Sequence, residues 1–270
     1  MDVEACLRMG LTGALGALPG TCAAHPMDVL KISLQTSSSS STGPSYSAAA
    51  RSIHAANGWY RGLRPALEQR ATARFPMFFL SELYTQLVER HTSLSGTEAR
   101  GVGSVGSGYT TGVLASLAEY RKKLLAVQAC TVEEASILRI VTTARATGHV
   151  PSLLWRAHAA GACSAAYDGA FFSTQHHLAH ERGWAAAPSY GAAAAAAVLG
   201  SFFFDTCVAR MMVVPPGERV AGLLETAASI IRSGGVAAGF RGVGARVCEF
   251  GISYTVTGAM SVLVLRLWPG

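Results

Sequence analysis

Charged side chains are scarce in this sequence, and the shortage argues against a soluble protein. Only 14% of the 270 residues are Asp, Glu, Lys or Arg, half are hydrophobic, and the mean hydropathy is +0.31. A soluble globular domain carries about 25% charged residues. Long uncharged stretches rich in Ala and Gly therefore predict an integral membrane protein.

The sequence also lacks the signatures of a metal site, a disulfide framework and an enzyme. Its six cysteines show neither metal-ligand nor disulfide spacing, and no Ser/His/Asp or Cys/His constellation stands out. His176, His177 and His180 lie close together, and we interpret them as an interfacial patch rather than as metal ligands. The basic residues behind the net charge of +6 are spread along the chain, which favours anionic lipid head groups over nucleic acid as partners.

The most informative stretch joins a proline to two opposite charges, in the order Pro26-Met27-Asp28-Val29-Leu30-Lys31. Pro26 removes one helical hydrogen bond and predicts a kink, and Asp28 and Lys31 lie on nearby faces of the next turn. Residues 9–25 before it contain no Asp, Glu, Lys or Arg, and their glycines recur at close-packing intervals. The pattern predicts a membrane span that ends in charges at the water boundary; an amphipathic surface helix with one ion pair is the alternative.

The same pattern recurs twice in weaker form, roughly every 85 to 95 residues. The second copy covers residues 117–122 and the third covers residues 203–208. Together with Gln35 and the Gly58-Trp59-Tyr60-Arg61-Gly62 turn of the first copy, this arrangement resembles the mitochondrial carrier family. The resemblance implies an all-α membrane protein: six transmembrane helices in three pseudo-symmetric repeats, each with a short amphipathic helix on the matrix side.

Polar breaks between hydrophobic stretches set the boundaries within a single carrier domain over residues 1–270. The repeats cover approximately residues 1–91, 92–182 and 183–270. Surface helices are predicted at about 48–57, 131–147 and 219–233, the second opened by a capping box of Thr131 and Glu134. His180 to Trp184 is predicted to be a short turn. The spans are predicted at about 7–35, 65–88, 103–127, 157–178, 185–212 and 243–267.

The resemblance implies a matrix gate in which the acid of one repeat pairs with the base of the next. One of the three pairings is predicted to fail, because Val208 occupies the position of the third base. The predicted pairs are Asp28 with Lys122 and Asp205 with Lys31, whereas Glu119 faces Val208. Gln35 is the one surviving glutamine brace of this gate, and Pro26 is its helix kink.

The opposite gate is predicted to have no ring of ion pairs. Carriers place an aromatic-acid-x-x-base pattern near the end of each even-numbered span. Here Thr85 occupies the position of the base, three residues after Glu82. Residues 172–176 and 261–266 contain no acid. Alternating access needs two states of comparable free energy, each with its own stabilising contacts. We therefore interpret the loss as relaxed selection for transport.

Polar residues inside the even-numbered spans predict a central cavity. Ionisable groups in a span are costly, so they are either paired or functional. In one interpretation, the acids Asp168 and Glu249 and the bases Arg70 and Arg246 pair with one another in a closed core. In the other, Arg70 or Arg246 binds a carboxylate or phosphate through its guanidinium. The candidate contact residues are Gln69, Arg70, Ser164, Asp168, Arg246 and Glu249.

Three turns, each at the start of an even-numbered span, are predicted to hold lipid. Such turns direct backbone N–H groups and a base towards a phosphate, and in the family they bind cardiolipin. The residues concerned are Tyr60, Arg61 and Gly62; Trp155 and Arg156; and Phe240, Arg241 and Gly242. We expect bound cardiolipin and no other cofactor.

Two functions remain open for a protein of this description. The eroded gates favour an accessory or structural subunit of a larger inner-membrane complex of respiratory or ATP synthase type. The intact first repeat and the charged cavity favour an active carrier that exchanges a small anionic metabolite. Either function implies a multi-pass protein of the mitochondrial inner membrane. The acidic N-terminus, Met1-Asp2-Val3-Glu4, predicts no cleavable presequence.

Overall fold

The computed structural model describes residues 3–37, 44–127, 131 and 133–267, and these ranges contain helices and no strands. The long helices are α1 (Val3–Thr36), α3 (Leu63–His91), α4 (Gly96–Ala126), α6 (Val150–His176), α7 (Ala186–Met212) and α9 (Val243–Leu267). The short helices are α2 (Tyr46–Ala55), α5 (Ile137–Ala146) and α8 (Leu223–Ala238). The all-helical prediction is therefore confirmed for the described residues.

The number of membrane spans stays a prediction. Among the described residues, the segment Pro188–Met212 of α7 is both long and apolar enough to cross a membrane. The other long helices include α3, which carries Arg70 and Arg74 near its middle. Length alone does not limit the remaining helices, because about 20 helical residues reach across the hydrocarbon core of a bilayer.

Several predicted boundaries differ from the structure, and α4 and α6 begin at Gly96 and Val150 rather than at about residues 103 and 157. The capping box forms, since the Thr131 N–H donates to Glu134 Oε2 at 2.8 Å. A turn follows it, however, and α5 begins only at Ile137, where the Ser136 hydroxyl accepts from the N–H of Arg139. α8 runs on to Ala238 across a non-helical break at Gly234 and Gly235. In place of the turn predicted at residues 180–184, a π-helical turn spans His177–Glu181.

The long helices contact one another in a ring. α1 packs against α3 and α9, α3 against α4, α4 against α6, and α6 against α7, which touches α9 over a shorter stretch. Small residues bring α4 and α6 together most closely. A Cβ atom on Gly112 would lie 2.7 Å from the carbonyl oxygen of Ala160, and one on Gly108 would lie 2.6 Å from that of Ser164. These two glycines, one helical turn apart, let the two backbones touch.

Two related glycines set the start of α3 and α9. Gly62 and Gly242 have φ angles of +76° and +86°, a backbone region that favours glycine. A Cβ on Gly62 would lie 2.9 Å from the carbonyl oxygen of Lys122, and one on Gly242 would lie 3.3 Å from that of Lys31. Each turn is thus seated against the backbone of a lysine in another predicted repeat, which positions the charged site below.

Candidate functional site

Lys31 stands at the centre of a buried ion-pair network formed by α1, α4, α7 and α9. Its Nζ atom lies 2.9 Å from Asp28 Oδ1 and 3.4 Å from Asp205 Oδ2. It also lies 3.6 Å from Glu249 Oε2. The ammonium group can donate three hydrogen bonds, so one lysine serves three carboxylates from three helices.

Lys122 connects the first two repeats within the same network. Its Nζ atom lies 3.1 Å from Asp28 Oδ2 and 2.9 Å from Glu119 Oε2. The structure therefore places Asp28 beside Lys122, and Asp205 beside Lys31, as the sequence predicts. Gln35 lies beside this network as well, because its amide donates to Asp205 Oδ2 at 3.0 Å.

Lys123 closes the connection that the sequence predicts to be broken. Its Nζ atom lies 3.2 Å from Glu119 Oε1 and 3.8 Å from Asp205 Oδ1, and its side chain is 1% exposed. Val208 provides no charge for Glu119, but the base next to Lys122 reaches both acids instead. Sequence reasoning missed this residue; its signal is the Lys122-Lys123 pair directly after Glu119.

The chain contains three lysines, and all three belong to this network, which we call the lysine network (Asp28, Lys31, Glu119, Lys122, Lys123 and Asp205). The other basic residues of the chain are arginine and histidine. Lysine is a compact point charge whose donors rotate, whereas arginine presents a rigid planar fork. An ammonium group therefore suits a position where several carboxylates converge.

A cavity of about 120 Å³ lies against the lysine network. Sites for small molecules are usually about 300–1,000 Å³, so this cavity is contracted. Six basic and three acidic side chains line it, and the excess of positive charge favours an anionic group. The basic residues are Lys31, Arg70, Arg74, Lys122, Lys123 and Arg246; the acidic residues are Glu119, Asp168 and Asp205.

The predicted cavity charges divide into a paired group and a separate acid. The carboxylate of Glu249 forms ion pairs with Arg246 Nη1, 2.8 Å from Oε2, and with Arg70 Nη2, 3.5 Å from Oε1. The Arg246 guanidinium also lies over the Phe250 ring, 4.4 Å from its centroid. Asp168 forms no ion pair or hydrogen bond with the described residues. The interpretation in which all four charges satisfy one another therefore holds for three of them. Gln69 and Ser164 also line the cavity.

Arg74 is a second cavity residue that sequence reasoning did not select. It lies one turn after Arg70 on α3, which puts both guanidinium groups on one face of that helix. Within the described residues its hydrogen bond is to Met77 Sδ at 3.6 Å. The spacing of Arg70 and Arg74 in the sequence was the available signal.

The predicted lipid turns differ in how their arginines are placed. Arg156 is 2% exposed and donates to the carbonyl oxygens of Met211 at 3.1 Å and Val214 at 2.9 Å. It therefore binds the end of α7, and the prediction that it contacts lipid is wrong for its side chain. Trp155 beside it is exposed, as is Tyr60 in the first turn.

The two remaining arginines of these turns are half-buried. Arg61 donates to the carbonyl oxygen of Ala56 at 2.6 Å, and one of its terminal nitrogens is buried with no partner among the described residues. The Tyr46 hydroxyl accepts the N–H of Gly244 at 3.1 Å, close to the Phe240–Gly242 turn. Part of the backbone donor set at the start of α9 is thus already bonded.

The opposite end of the bundle, where the sequence predicts no ring of ion pairs, has an ion pair between α3 and α4. Arg100 of α4 lies 2.8 Å from Glu82 Oε2. Nearby, the Thr97 hydroxyl contacts His176 and Glu181, and His177 Nδ1 lies 2.6 Å from Glu181 Oε2. These hydrogen bonds hold the pKa of Glu181 below its usual range. Within the described residues this end joins α3, α4 and α6 rather than a full ring of helices.

Helices in a ring around a charged cavity define an α-helical bundle with a polar interior, which is the class that the sequence predicts. The family model described as mitochondrial carrier protein matches residues 4–92, over the first predicted repeat. This match confirms the resemblance to the mitochondrial carrier family over the first predicted repeat. Members of that family are transporters of the mitochondrial inner membrane rather than enzymes. No curated protein matches the chain.

Proposed function

We propose that this protein is a carrier of the mitochondrial inner membrane that transports a small solute with an anionic group. The observation that carries the proposal is the continuity of the lysine network through Lys123. A broken third link at the matrix gate was one of two reasons to favour an accessory subunit, the other being the missing ring of ion pairs at the opposite gate. The contacts of Lys123 with Glu119 and Asp205 remove the first of these reasons.

The lysine network has the properties required of a gate. It joins three helices from three predicted repeats, and all of its members except Asp28 line the cavity. A buried ion pair is costly to break, because removing one partner leaves an uncompensated charge. The network therefore stabilises one closed state, and on this proposal the closed end faces the matrix. The contracted cavity agrees with a closed state.

On this proposal the six long helices are transmembrane. Two of the charges that lower the hydropathy of α3, Arg70 and Arg74, line the cavity, where Arg70 pairs with Glu249. Charged residues inside membrane proteins usually face the bundle interior and pair with one another. Low hydropathy in such a helix is therefore compatible with a membrane span. It accounts for the finding that, among the described helices, α7 alone is apolar enough by composition to cross a membrane.

We also propose that cardiolipin binds at the start of α3 and of α9. Tyr60 is exposed beside Arg61, and the turn at Gly62 resembles that at Gly242 in its positive φ. Helix starts of this kind present free N–H groups to a phosphate. The start of α6 is expected to bind lipid less well, because Arg156 is committed to α7.

The lysines themselves report whether the gate opens. An amine-reactive, membrane-impermeant reagent labels lysine side chains in water, and here every lysine is in the network. We reconstitute the purified protein in cardiolipin-containing liposomes and measure labelling of Lys31 and Lys122 by mass spectrometry. Lys123→Gln is expected to raise labelling by about tenfold, because each ion pair to a charged group stabilises the closed state by about 1.4 kcal/mol or more. Arg139→Gln on α5, an exposed base, serves as the matched control.

Uptake into the same liposomes completes the test. We expect uptake of at least one labelled probe from a set of a monocarboxylate, a dicarboxylate, inorganic phosphate and small amino acids, and faster lysine labelling while that probe is transported. Absence of uptake for every probe, with lysines that stay protected in wild type and Lys123→Gln alike, would contradict a carrier.

An accessory subunit is the second candidate, and the asymmetry of the opposite end favours it. Contacts there join α3, α4 and α6 through Glu82, Arg100 and Thr97, whereas alternating access requires specific contacts in both states. Gentle extraction followed by native-gel separation tests this candidate. Migration with a respiratory or ATP synthase complex would support it, and migration at the size of a single carrier would contradict it.

A further inference from the structure

Asp168 is a buried carboxylate that does not belong to the lysine network. It lies on α6, is 4% exposed and lines the cavity. Among the described residues no base lies within 4 Å of it and no group donates a hydrogen bond to it. An unpaired charge in such a place is unfavourable. The position therefore calls for a positive group that arrives from outside.

Glycine packing brings this carboxylate to the cavity wall. A Cβ atom on Gly108 of α4 would lie 2.9 Å from Asp168 Oδ2, and one on Gly112 would lie 2.8 Å from Ser164 Oγ. Larger residues at these two positions would displace both polar groups. The missing side chains on α4 therefore create the space in which Asp168 and Ser164 stand.

The facing wall carries the opposite charge. Arg70 and Arg74 of α3 also line the cavity, and neither lies within 4 Å of the Asp168 carboxylate. Arg74 makes no ion pair with any described acid, and Arg70 reaches Glu249 only at 3.5 Å. Two guanidinium groups and one carboxylate thus face a common space that is lined by Thr111, Ser164 and Tyr167.

We propose that the cavity binds a small zwitterion of the amino-acid type. Its carboxylate binds Arg70 and Arg74, and its ammonium group binds Asp168. This inference rests on the proposed carrier function and specifies its substrate class. An anion without a positive group would be attracted by Arg70 and Arg74 but repelled by the Asp168 carboxylate. A zwitterion can form ion pairs with both sides of the cavity. The contracted cavity fits a small ligand rather than a nucleotide.

Matched probes that differ in one group test the proposal. Glycine, alanine and leucine each have a 2-hydroxy acid of the same shape, in which a hydroxyl replaces the ammonium group. Binding to the purified full-length protein in detergent is measured by calorimetry for each pair. We expect one amino acid to bind wild type at least about tenfold more tightly than its hydroxy acid, since an ionic hydrogen bond is lost in the latter.

The variant Asp168→Asn is expected to remove this preference while leaving binding of the hydroxy acid unchanged or tighter. Glu133→Gln, at an exposed acid outside the cavity, serves as control and should keep the preference. Gly108→Ala offers a second variant, because its Cβ would meet both Asp168 Oδ2 and the carbonyl oxygen of Ser164 and so displaces Asp168 without altering its charge. Thermal unfolding is measured to show that this variant folds, and it should also reduce the preference.

Three results would overturn the inference. One is equal or tighter binding of every hydroxy acid by wild type, and another is a preference that survives in Asp168→Asn. The third is the absence of binding for every amino acid. If hydroxy acids alone are bound and taken up by liposomes, the carrier function stands and only the zwitterion class is wrong. If lysine labelling and uptake also fail, the carrier proposal is wrong as well.

Discussion

At the scale of single residues, lysine and arginine have separate tasks in this protein. The three lysines each contact two or three carboxylates at distances of 2.9–3.8 Å. Arginines also pair with carboxylates, as Arg100 does with Glu82, but others bind carbonyl oxygens at helix ends or lie over aromatic rings. Arg156 does both, with Val214 and Tyr120. The rotating ammonium group suits a network that must break and reform, and the planar guanidinium suits a fixed contact.

Arg156 provides a prediction at this scale. Replacement by alanine leaves the carbonyl oxygens of Met211 and Val214 without their donor and removes packing against Tyr120. We expect Arg156→Ala to lower the free energy of unfolding by about 2–3 kcal/mol, measured by denaturation in detergent. Arg145→Ala, at an exposed arginine in the last turn of α5, should change it by about 0.5 kcal/mol or less.

The same variant separates structure from lipid binding. Because the Arg156 side chain points into the protein, Arg156→Ala is expected to retain its bound cardiolipin under native mass spectrometry. Loss of one cardiolipin without loss of stability would show that Arg156 contacts lipid after all, and would contradict the placement of its side chain.

Residues in the network also show what a sequence can predict. The positions of Asp28 and Lys122 follow from the phase of the repeats, and the structure places them 3.1 Å apart. Lys123 could not be found in this way, because its position lies about 100° further round the helix than that of Lys122. Only the reach of a long side chain between Glu119 and Asp205 makes it part of the network. The inward direction of Arg156 is likewise a property of packing, which a motif does not encode.

At the scale of helices, glycine determines how closely α4 and α6 approach. Gly112 and Gly161 lie against each other, and a Cβ on Gly112 would be 2.8 Å from Gly161 Cα. A Cβ at position 112 would meet backbone atoms of Ala160 and Gly161, which cannot move aside as the end of a flexible side chain can. The close contact of these helices therefore depends on the absence of a single carbon atom.

This dependence yields a prediction with a matched control. Gly112→Ala is expected to destabilise the protein by about 1–3 kcal/mol, the usual penalty for overpacking. Gly191→Ala in α7 should be neutral or stabilising by up to about 1 kcal/mol, because no atom lies within 4 Å of the place that its Cβ would take and alanine favours a helix. Thermal unfolding of both variants in the same detergent is the measurement. Equal stability of the two would show that α4 and α6 can separate without cost.

Helix boundaries show where sequence patterns were insufficient. The capping box of Thr131 and Glu134 forms, and the hydrogen bonds from Thr131 hold the pKa of Glu134 below its usual range. It was nevertheless a poor guide to the start of α5, because Ser136 provides a second cap two residues later. Local hydrogen bonds identify a turn of the chain, but the tertiary packing of Ile140 and Ala144 decides which turn continues as a helix.

At the scale of the whole molecule, the long helices place many of their charges inside the bundle. Carboxylate oxygens of Asp205 and Glu249, from two other helices, lie within 3.6 Å of Lys31 Nζ, and the cavity adds the arginines of α3. Composition along a single helix therefore underestimates how apolar its outer face is. The repeat pattern predicts six spans, whereas hydropathy identifies one among the described residues. A repeat reflects how the helices are arranged, but hydropathy scores each helix separately.

Membrane topology tests this arrangement for the molecule as a whole. If all six long helices span the bilayer, Thr92 after α3 and Arg182 after α6 lie on one side, and Thr147 after α5 lies on the other. We introduce one cysteine at each of these exposed positions and label it with an impermeant thiol reagent from outside sealed vesicles of uniform orientation. Because the chain contains six cysteines, and Cys22 and Cys248 among them are exposed, the background for all three variants is a chain with all six replaced by serine. We expect Thr92→Cys and Arg182→Cys to be labelled from one side, and Thr147→Cys to be labelled only after permeabilisation or in inverted vesicles.

Labelling of all three from the same side would mean that α4 and α6 do not carry the chain across the membrane, and both the six-span arrangement and the carrier function would then be wrong.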